Sequence, residues 1–283
     1  MRWLRRPGRL RRLGPADRQA AIDLLATDPV ATILARVPIE EGWPRPSHAL
    51  GLFDDAGVLT AVAWNGANLV PFGFDDDGLD LLAGHVLSTR RIFSSLVGPR
   101  EQVMPLWERI ESGVGVAREV RESQLSMVYA GRESVAPDPE VRPARIGEGA
   151  IVLPASVAMF TEEVGYDPLT YGSGYSHRVH GLVRAGHTFV RLGRGTDGRE
   201  RVEFKADIGA LAGGVAQIQG VWTAPDLRGQ GIATAAMVQV ARLVQATIAP
   251  TVSLYVNDYN LPAVRVYEKA GFKTVGEYST ILL

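Results

Sequence analysis

The 283-residue chain contains no cysteine, which excludes disulfides, cysteine metal sites and a covalent cysteine intermediate. Lysine is nearly as rare, since Lys205, Lys269 and Lys273 are the only three. No apolar stretch is long enough for a membrane-spanning helix. A net charge of −1 argues against nucleic acid as the main partner. The sequence therefore predicts a protein without membrane or nucleic-acid partners, and the cytoplasm is the expected compartment.

Two further features predict no binding site. Six of the first twelve residues are arginine, but no apolar segment of signal length follows, so we expect a solvated extension rather than a targeting peptide. His177 and His180 lie three apart on a predicted helix, without a third ligand at metal spacing. We therefore expect no metal.

The most informative segment runs from Trp222 to Thr234, where an apolar strand enters a basic, glycine-rich turn that opens a helix. Such a turn points several backbone N–H groups and the positive end of a helix dipole at one spot, which suits a pyrophosphate. A P-loop would need lysine after Gly231, and a dinucleotide fingerprint would need glycine or alanine at Thr234. The segment predicts a phosphorylated cofactor in another kind of loop; a plain tight turn is the alternative.

A second informative segment follows a predicted strand rich in β-branched residues. Asn260 suits the N-cap of a helix, Pro262 its first turn and Gly271 the position after its end. Within that helix Asn260, Ala263 and Tyr267 are three and four residues apart and share one face.

Together these segments resemble a known superfamily. The Arg-x-x-Gly-x-Ala pattern from Arg228 resembles the acetyl-CoA loop of the GNAT N-acetyltransferases, and the Asn-x-x-Ala-x-x-x-Tyr pattern from Asn260 to Tyr267, followed by Gly-Phe, resembles their second motif. The resemblance implies acetyl-CoA as co-substrate and an amine as acceptor. The residues that it implies for acetyl-CoA binding are Val221, Trp222, Thr223, Arg228, Gly229, Gln230, Gly231, Ile232, Ala233, Thr234, Asn260, Ala263 and Tyr267.

The resemblance also implies the fold class, α/β (α+β), with a mixed, mostly antiparallel sheet flanked by helices and two central strands that splay around acetyl-CoA. The length suggests two domains, and residues 131–140 have the composition of a linker. Because predicted elements recur in the same order, we expect tandem GNAT-like domains over residues 1–130 and 141–283. Periodicity predicts helices over 17–27, 79–87, 102–110, 151–164, 175–184 and 231–246, and strands over 48–53, 59–64, 68–72, 91–97, 124–130, 141–145, 188–192, 201–208, 215–223, 251–256 and 274–282.

The two predicted domains differ at the phosphate loop. Residues 73–80 carry four carboxylates where the second half has Arg228 and glycines. Negative side chains suit a helix start, but they would repel a pyrophosphate. The first domain is therefore predicted to be degenerate, without acetyl-CoA at that position. We expect it to cover the second domain and shape the acceptor entrance; another ligand stays open.

The inventory of residues constrains the mechanism. Without cysteine, no acetyl-cysteine intermediate can form. The remaining mechanism is direct attack of an amine on the thioester in a ternary complex. An alkylammonium acceptor with a pKa of about 10.4 must lose a proton, and a departing thiol with a pKa of about 8.5 is helped by a donor. The resemblance implies that Tyr267 is this donor, with packing under the loop helix as its alternative role. It also implies that the amides of residues 221–223 hold pantetheine and polarise the thioester carbonyl.

The general base has several candidates. Glu162 and Glu163 lie in a predicted helix that borders the acceptor cleft in this superfamily, Glu203 lies on a strand, and a water chain could serve instead. The two neighbouring glutamates would suit a cationic acceptor. The aromatic residues that would support it are Tyr166, Tyr171 and Tyr175.

The sequence thus predicts an acetyl-CoA-dependent N-acetyltransferase with a small-molecule or protein amine as acceptor. A non-catalytic acyl-CoA-binding or sensing module is the alternative, because an intact phosphate loop serves both. Whether the chain forms a homo-oligomer stays open.

Overall fold

The computed structural model describes residues 9–42, 48–195 and 197–283, and it divides the chain into two compact units. Residues 1–8, most of the predicted basic extension, lie outside the described residues. No helix in the described ranges is long and apolar enough to cross a membrane. The N-terminal unit comprises Met1–Ser126, Tyr255–Tyr259 and Thr274–Leu283, and the C-terminal unit comprises Met127–Leu254 and Asn260–Lys273.

The N-terminal unit is a sheet with helices packed on it. Its strands β1 to β4 pair antiparallel in sequence, β4 pairs parallel with β5, and β5 pairs antiparallel with β12. Helix α1 buries Ala21 and Leu25, which are four residues apart and therefore share a face. The elements are β1 (Arg9–Arg12), α1 (Arg18–Leu25), α2 (Ile33–Glu41), β2 (Ala49–Phe53), β3 (Leu59–Asn65), β4 (Asn68–Phe72), α3 (Asp76–Ser88), β5 (Ser95–Pro99), α4 (Arg100–Val114), β6 (Glu119–Tyr129) and the end of β12 (Phe272–Leu282).

The C-terminal unit repeats this order of elements, with one strand, two helices, three strands, and then helix, strand, helix and strand. Strands β7 to β10 pair antiparallel in sequence, and β10 pairs parallel with β11. Helix α7 buries Ala236, Val240 and Val244 at four-residue spacing. The elements are β7 (Arg142–Pro143), α5 (Gly149–Val164), α6 (Gly174–Arg184), β8 (Thr188–Arg194), β9 (Glu200–Ala212), β10 (Val215–Thr223), α7 (Ile232–Thr247), β11 (Thr251–Asn257) and α8 (Leu261–Lys269). The predicted α/β fold class, with a mixed, mostly antiparallel sheet flanked by helices, is confirmed.

The last strand completes the N-terminal unit. The sequence analysis assigned residues 274–282 to the second domain, but Tyr278 to Leu282 pair with Ser95 to Pro99 of β5. The Tyr278 hydroxyl donates to the carbonyls of Val30 and Ala31, at 2.8 Å each. Strand pairing depends on partners distant in sequence, so the local pattern could not reveal this exchange.

Residues 131–140, expected to form a linker, belong to the C-terminal unit and are packed against it. The Ser134 amide and hydroxyl both donate to the carbonyl of Lys269, and the Arg242 side chain pairs with Glu133. These contacts fix the segment on helices α7 and α8.

Most predicted elements lie within a few residues of the observed ones, with three differences. Strand β1 was not predicted, because Arg9–Arg12 belongs to the arginine-rich start that was expected to be a solvated extension, yet it pairs with β2. Helix α2 was not predicted, because Pro38 inside it is a helix-breaking signal. The strand expected over residues 91–97 is β5, which begins only at Ser95.

Candidate functional site

The edge of strand β10 opens partway along the C-terminal unit. Residues 215–217 pair with residues 251–253 of β11, and no described pairing between these strands continues beyond Gln217. On its other side β10 stays paired with β9 as far as Thr223. One edge of β10 from Ile218 onward is therefore free of β11, as expected for splayed central strands.

Strand β10 also contains a β-bulge at this opening. Gln219 pairs with Asp207 and Trp222 pairs with Lys205, so Gly220 and Val221 together face the single residue between those partners. Gly220 adopts a φ of 58°, in the left-handed region that favours glycine. The bulge redirects the peptide groups of residues 220–222. Two of these residues, Val221 and Trp222, were predicted to line the co-substrate site together with Thr223.

The glycine-rich loop ends in an uncapped helix N-terminus. Gly229 and Gly231 have φ values of 79° and 81°, and Gly231 is the N-cap of α7 without a side-chain capping bond. Within the described part of the chain, the five successive amides from Gly229 to Ala233 donate no hydrogen bond. Five unpaired N–H groups at the positive end of a 16-residue helix fit a pyrophosphate.

The predicted loop arginine and one predicted base are in direct contact. The Arg228 guanidinium donates to the Glu162 carboxylate at 2.7 Å and to the Thr223 carbonyl at 3.0 Å. The Trp222 indole N–H donates to the other oxygen of Glu162 at 3.2 Å. The end of α5, the end of β10 and the loop therefore meet at one carboxylate.

Helix α8 begins and ends as its sequence predicts. The side-chain oxygen Oδ1 of Asn260 accepts from the Ala263 amide at 3.3 Å, which confirms the N-cap. Gly271 follows the C-cap with a φ of 93°.

Tyr267 lies near the end of α8 and is only 8% exposed. Its ring packs edge-on against Phe272, with centroids 6.0 Å apart, and its hydroxyl makes no hydrogen bond to the described residues. Burial raises the pKa of the Tyr267 phenol, and the negative charge of Glu163 adds to this effect. The phenol therefore keeps its proton at neutral pH.

Glu163 also influences the aromatic residues beside the end of α5. Phe160 packs edge-on against Tyr166 and Tyr175, with centroids 5.3 and 5.0 Å apart. Burial, with the charge of Asp207 as second cause, raises the pKa of Tyr175 to about 12. Glu163 contributes in the same direction. The Tyr171 side chain lies outside the described residues.

The remaining candidates lie in other contacts. Glu203 pairs with Arg191 at 3.3 Å, and Arg191 also contacts Asp138 at 3.4 Å. His177 bonds to the carbonyl of Ser173 at 2.8 Å. No group of three histidine, aspartate or glutamate side chains suited to a metal occurs among the described residues.

One buried pair beside the bulge was not singled out from the sequence. Lys205 is fully buried and its ammonium contacts the carboxylate of Asp207 at 2.6 Å. The available signal was a lysine and an aspartate two positions apart in the otherwise apolar stretch from Phe204 to Ala212, which places both side chains on one face.

Two family profiles match the chain. The profile described as "Acetyltransferase (GNAT) family" matches residues 174–272, and the profile described as "Domain of unknown function (DUF4081)" matches residues 48–152. No curated protein matches the chain significantly.

Solved structures match over almost the whole length. A GCN5-related N-acetyltransferase from Sphaerobacter thermophilus is 17% identical, with a TM-score of 0.62 and coverage of 99% of this chain and 96% of its own. A GNAT-family acetyltransferase from Colwellia psychrerythraea is 12% identical, with a TM-score of 0.57 and coverage of 97% and 99%.

A tandem GNAT protein from the clavulanic acid biosynthesis pathway is 10% identical, with a TM-score of 0.52 and coverage of 97% of this chain and 98% of its own. At these identities the likeness concerns the fold alone. Taken with the profile match, it identifies residues 174–272 as a GNAT acetyltransferase domain within a chain of tandem GNAT fold.

Proposed function

We propose that the C-terminal unit transfers the acetyl group of acetyl-CoA to an amine, by direct attack of the amine in a ternary complex. The observation that carries this proposal is the row of five unpaired amides from Gly229 to Ala233, beside the opened edge of β10 in a domain of an acetyltransferase family. Unpaired helix-start amides attract phosphate oxygens.

Most of the proposed co-substrate contacts are made by backbone amides. The amides of residues 229–233 and the first turn of α7, as far as Thr234, bind the pyrophosphate, with Arg228 beside them. The amides of residues 221–223 on the opened edge of β10 bind pantetheine and polarise the thioester carbonyl. Asn260 and Ala263 shape the start of α8, which carries Tyr267.

Tyr267 is proposed as the donor to the departing sulfur. Its side chain is 8% exposed, its hydroxyl has no hydrogen-bond partner among the described residues, and the hydroxyl stays protonated because its pKa is raised. A phenol whose proton is not donated within the protein can donate it to a bound ligand. Simple packing would be served equally well by phenylalanine.

Glu163 is the proposed general base, and Glu162 is proposed to be the partner of Arg228 when no co-substrate is bound. The charge of Glu163 raises the pKa of both Tyr267 and Tyr175, so it acts on the region between them. Glu162 is instead bonded to Arg228 and Trp222, so its carboxylate competes with a phosphate for the same guanidinium. Glu203 is not proposed as the base, because its carboxylate is paired with Arg191.

The proposed acceptor is a cationic amine, from a small molecule or a protein. Phe160 and Glu163 lie in the last turns of α5, and the Phe160 ring packs edge-on against Tyr166 and Tyr175. The charge of Glu163 acts on Tyr175 in this aromatic group. Aromatic faces and a carboxylate both attract alkylammonium groups.

The N-terminal unit is proposed to be a degenerate GNAT-like domain without an acetyl-CoA site. The Asp75 carboxylate already accepts from the Gly78 amide at the start of α3, at 2.9 Å. The amide of Phe74 donates to the side chain of Gln102 at 2.9 Å. These bonds use the positions that a phosphate would need.

The proposal is tested by titration and turnover on the full chain. Calorimetry with CoA should give one binding site, and release of free thiol from acetyl-CoA should depend on added amine. A panel of cationic, neutral and anionic amines should show the fastest turnover with the cationic members. Absence of CoA binding contradicts the proposal, whereas binding without turnover by any amine supports an acyl-CoA-binding module instead. Equal turnover of anionic amines contradicts the acceptor class alone.

A further inference from the structure

We propose that Lys205, Asp207 and Thr188 form a buried positioning network that sets the direction of the Val221 amide at the bulge of β10. This inference rests on the proposed function, because the Val221 amide is one of the groups assigned to the thioester. None of the three side chains is assigned to contact the substrate.

The network is continuous within the C-terminal unit. The Lys205 ammonium contacts the Asp207 carboxylate at 2.6 Å and donates to the Gly220 carbonyl at 3.1 Å. The second oxygen of Asp207 accepts from the Thr188 hydroxyl at 2.8 Å. Lys205 is 0%, Thr188 1% and Asp207 9% exposed. The three side chains that link β8, β9 and β10 here are therefore buried.

The Lys205 ammonium is a side-chain partner of the peptide group at the bulge. At the bulge, residues 220 and 221 together face only Ala206 on β9, so the regular ladder is interrupted. The Gly220 carbonyl accepts from Lys205 at this point. A charged side chain therefore binds the peptide oxygen where the backbone ladder is irregular.

Holding this carbonyl also fixes the next amide. In a planar trans peptide the C=O of Gly220 and the N–H of Val221 point in opposite directions. A carbonyl held toward Lys205 therefore keeps the Val221 N–H pointing away from it. Gly220 has no Cβ and can adopt its φ of 58° without steric cost, so sterics alone do not fix this peptide group. The bond from Lys205 therefore defines the orientation of the Gly220 carbonyl.

Space at Gly220 shows how closely the network approaches the bulge. A Cβ atom added there would lie 3.0 Å from the Asp207 carboxylate, 3.2 Å from the Lys205 ammonium and 3.2 Å from the methyl of Met159 in α5. The polar pair therefore fills the space beneath the peptide group itself. Apolar side chains could fill the same volume, but they would leave the Gly220 carbonyl unpaired.

The test compares Lys205→Met with a matched control, Arg142→Met. Both variants remove one paired cation from the C-terminal unit, but Arg142 lies on β7, three strands from β10, and pairs with Glu148 at the N-cap of α5. Each variant is first checked for folding by circular dichroism and thermal melting, and rates are expressed per folded molecule. In Lys205→Met we expect kcat to fall roughly 10- to 100-fold, because small misplacements of a positioning group have effects of that size. The calorimetric Kd for CoA should change less than about threefold, since the loop amides lie outside the network.

A spectroscopic readout separates positioning from general stability. In the wild type, the backbone 1H–15N resonance of Val221 should shift further with acetyl-CoA than with CoA, because only acetyl-CoA carries the carbonyl. In Lys205→Met this difference should vanish, whereas in Arg142→Met both it and kcat should match the wild type. Folded Lys205→Met with wild-type kcat and an unchanged Val221 difference overturns the inference.

The remaining outcomes are also decisive. If Lys205→Met does not fold, the wild-type spectra decide, and a Val221 amide that responds identically to acetyl-CoA and CoA overturns the inference. If the wild type shows no heat with CoA, the proposed function itself fails. Binding and turnover by a wild type whose Val221 amide does not distinguish the two ligands contradicts the positioning network alone.

Discussion

The two units share an order of elements but treat the same helix start in opposite ways. In the C-terminal unit, Gly231 caps α7 without any side-chain bond. In the N-terminal unit, the Asp75 carboxylate caps α3, and Asp76 and Asp80 follow with salt bridges to Arg109. The N-terminus of α7 therefore has unpaired amides that can bind an anion, whereas the N-terminus of α3 is already capped by the Asp75 carboxylate.

The opening of the sheet, by contrast, occurs in both units. Strand β4 pairs in parallel with β5 only at residues 68–69, and β10 pairs with β11 only at residues 215–217. On the proposed function, the splayed topology does not by itself make a co-substrate site. The two units differ in which backbone groups at the helix start have partners, so we expect side-chain chemistry at a few positions to decide whether a unit binds acetyl-CoA.

The largest effect should come from Tyr267→Phe. Helix α4, the counterpart of α8, contains no tyrosine, so this hydroxyl belongs to the second unit alone. Loss of a general acid should lower kcat about 100- to 10,000-fold, while the Kd for CoA stays unchanged. Thiol release and calorimetry measure the two quantities.

Tyr129→Phe is the matched control for this substitution. The Tyr129 ring also packs on Phe272, with centroids 5.5 Å apart, and we expect its variant to retain wild-type kcat. The pH profile gives a second check. An acid must be protonated to act, and the raised pKa of Tyr267 extends its protonated range upward, so kcat should not decline until the pH exceeds about 10. Equal activities of the Tyr267 and Tyr129 variants would rule out the donor.

Transferring the first unit's capping charge to the second should abolish binding. Gly231→Asp places a carboxylate at the N-cap of α7, as in α3, and should weaken CoA at least about 100-fold, since like charges about 4 Å apart repel by about 4 kcal/mol at an effective dielectric of 20. Gly231→Asn is nearly isosteric and neutral, and asparagine also tolerates a positive φ. Calorimetry should show a loss of less than about tenfold for this control. Equal losses would mean that shape, and not charge, distinguishes the two loops.

Local patterns account for much of what the sequence predicted. Helix α7 was expected over residues 231–246 and occupies Ile232–Thr247, because its apolar stripe and its preceding glycine are adjacent in the chain. The N-cap of α8 could be predicted for the same reason. The pairing of β12 with β5 could not be predicted, because both strands have ordinary apolar patterns and the pattern of a strand does not identify its partner.

The same distinction applies to the site. The loop and Asn260–Tyr267 motifs could be found because each is a short, contiguous pattern. The contact of Arg228 with Glu162 joins residues 66 positions apart, and no local spacing encodes it. The Lys205 and Asp207 pair had a local signal, but its purpose depends on a bulge in the neighbouring strand. Interactions that require tertiary packing were therefore the part that sequence reasoning missed.

A smaller effect is expected from uncapping the first unit. Asp75→Ala removes the bond to the Gly78 amide and should cost about 1 kcal/mol of unfolding free energy. Asp77→Ala, in the same first turn but without a capping bond, should cost only about 0.3 kcal/mol through the helix dipole. Urea unfolding measures both, and neither variant should alter the CoA Kd. A change in CoA affinity with Asp75→Ala would place a co-substrate contact in the N-terminal unit and undo the comparison.

The smallest effect should come from substituting Glu162, whose carboxylate contacts Arg228 in the second unit. Glu162 and Arg228 are 45% and 48% exposed, so their salt bridge contributes little to stability, but Glu162 competes with phosphate for the same guanidinium. Glu162→Gln should therefore tighten CoA binding about two- to fivefold, with a weaker dependence on salt. Glu148→Gln breaks an arginine pair at the other end of α5 and should leave the Kd unchanged. If Glu162→Gln weakens CoA instead, the carboxylate orients Arg228 for the ligand, and the second unit, like the first, depends on its own anion at the helix start.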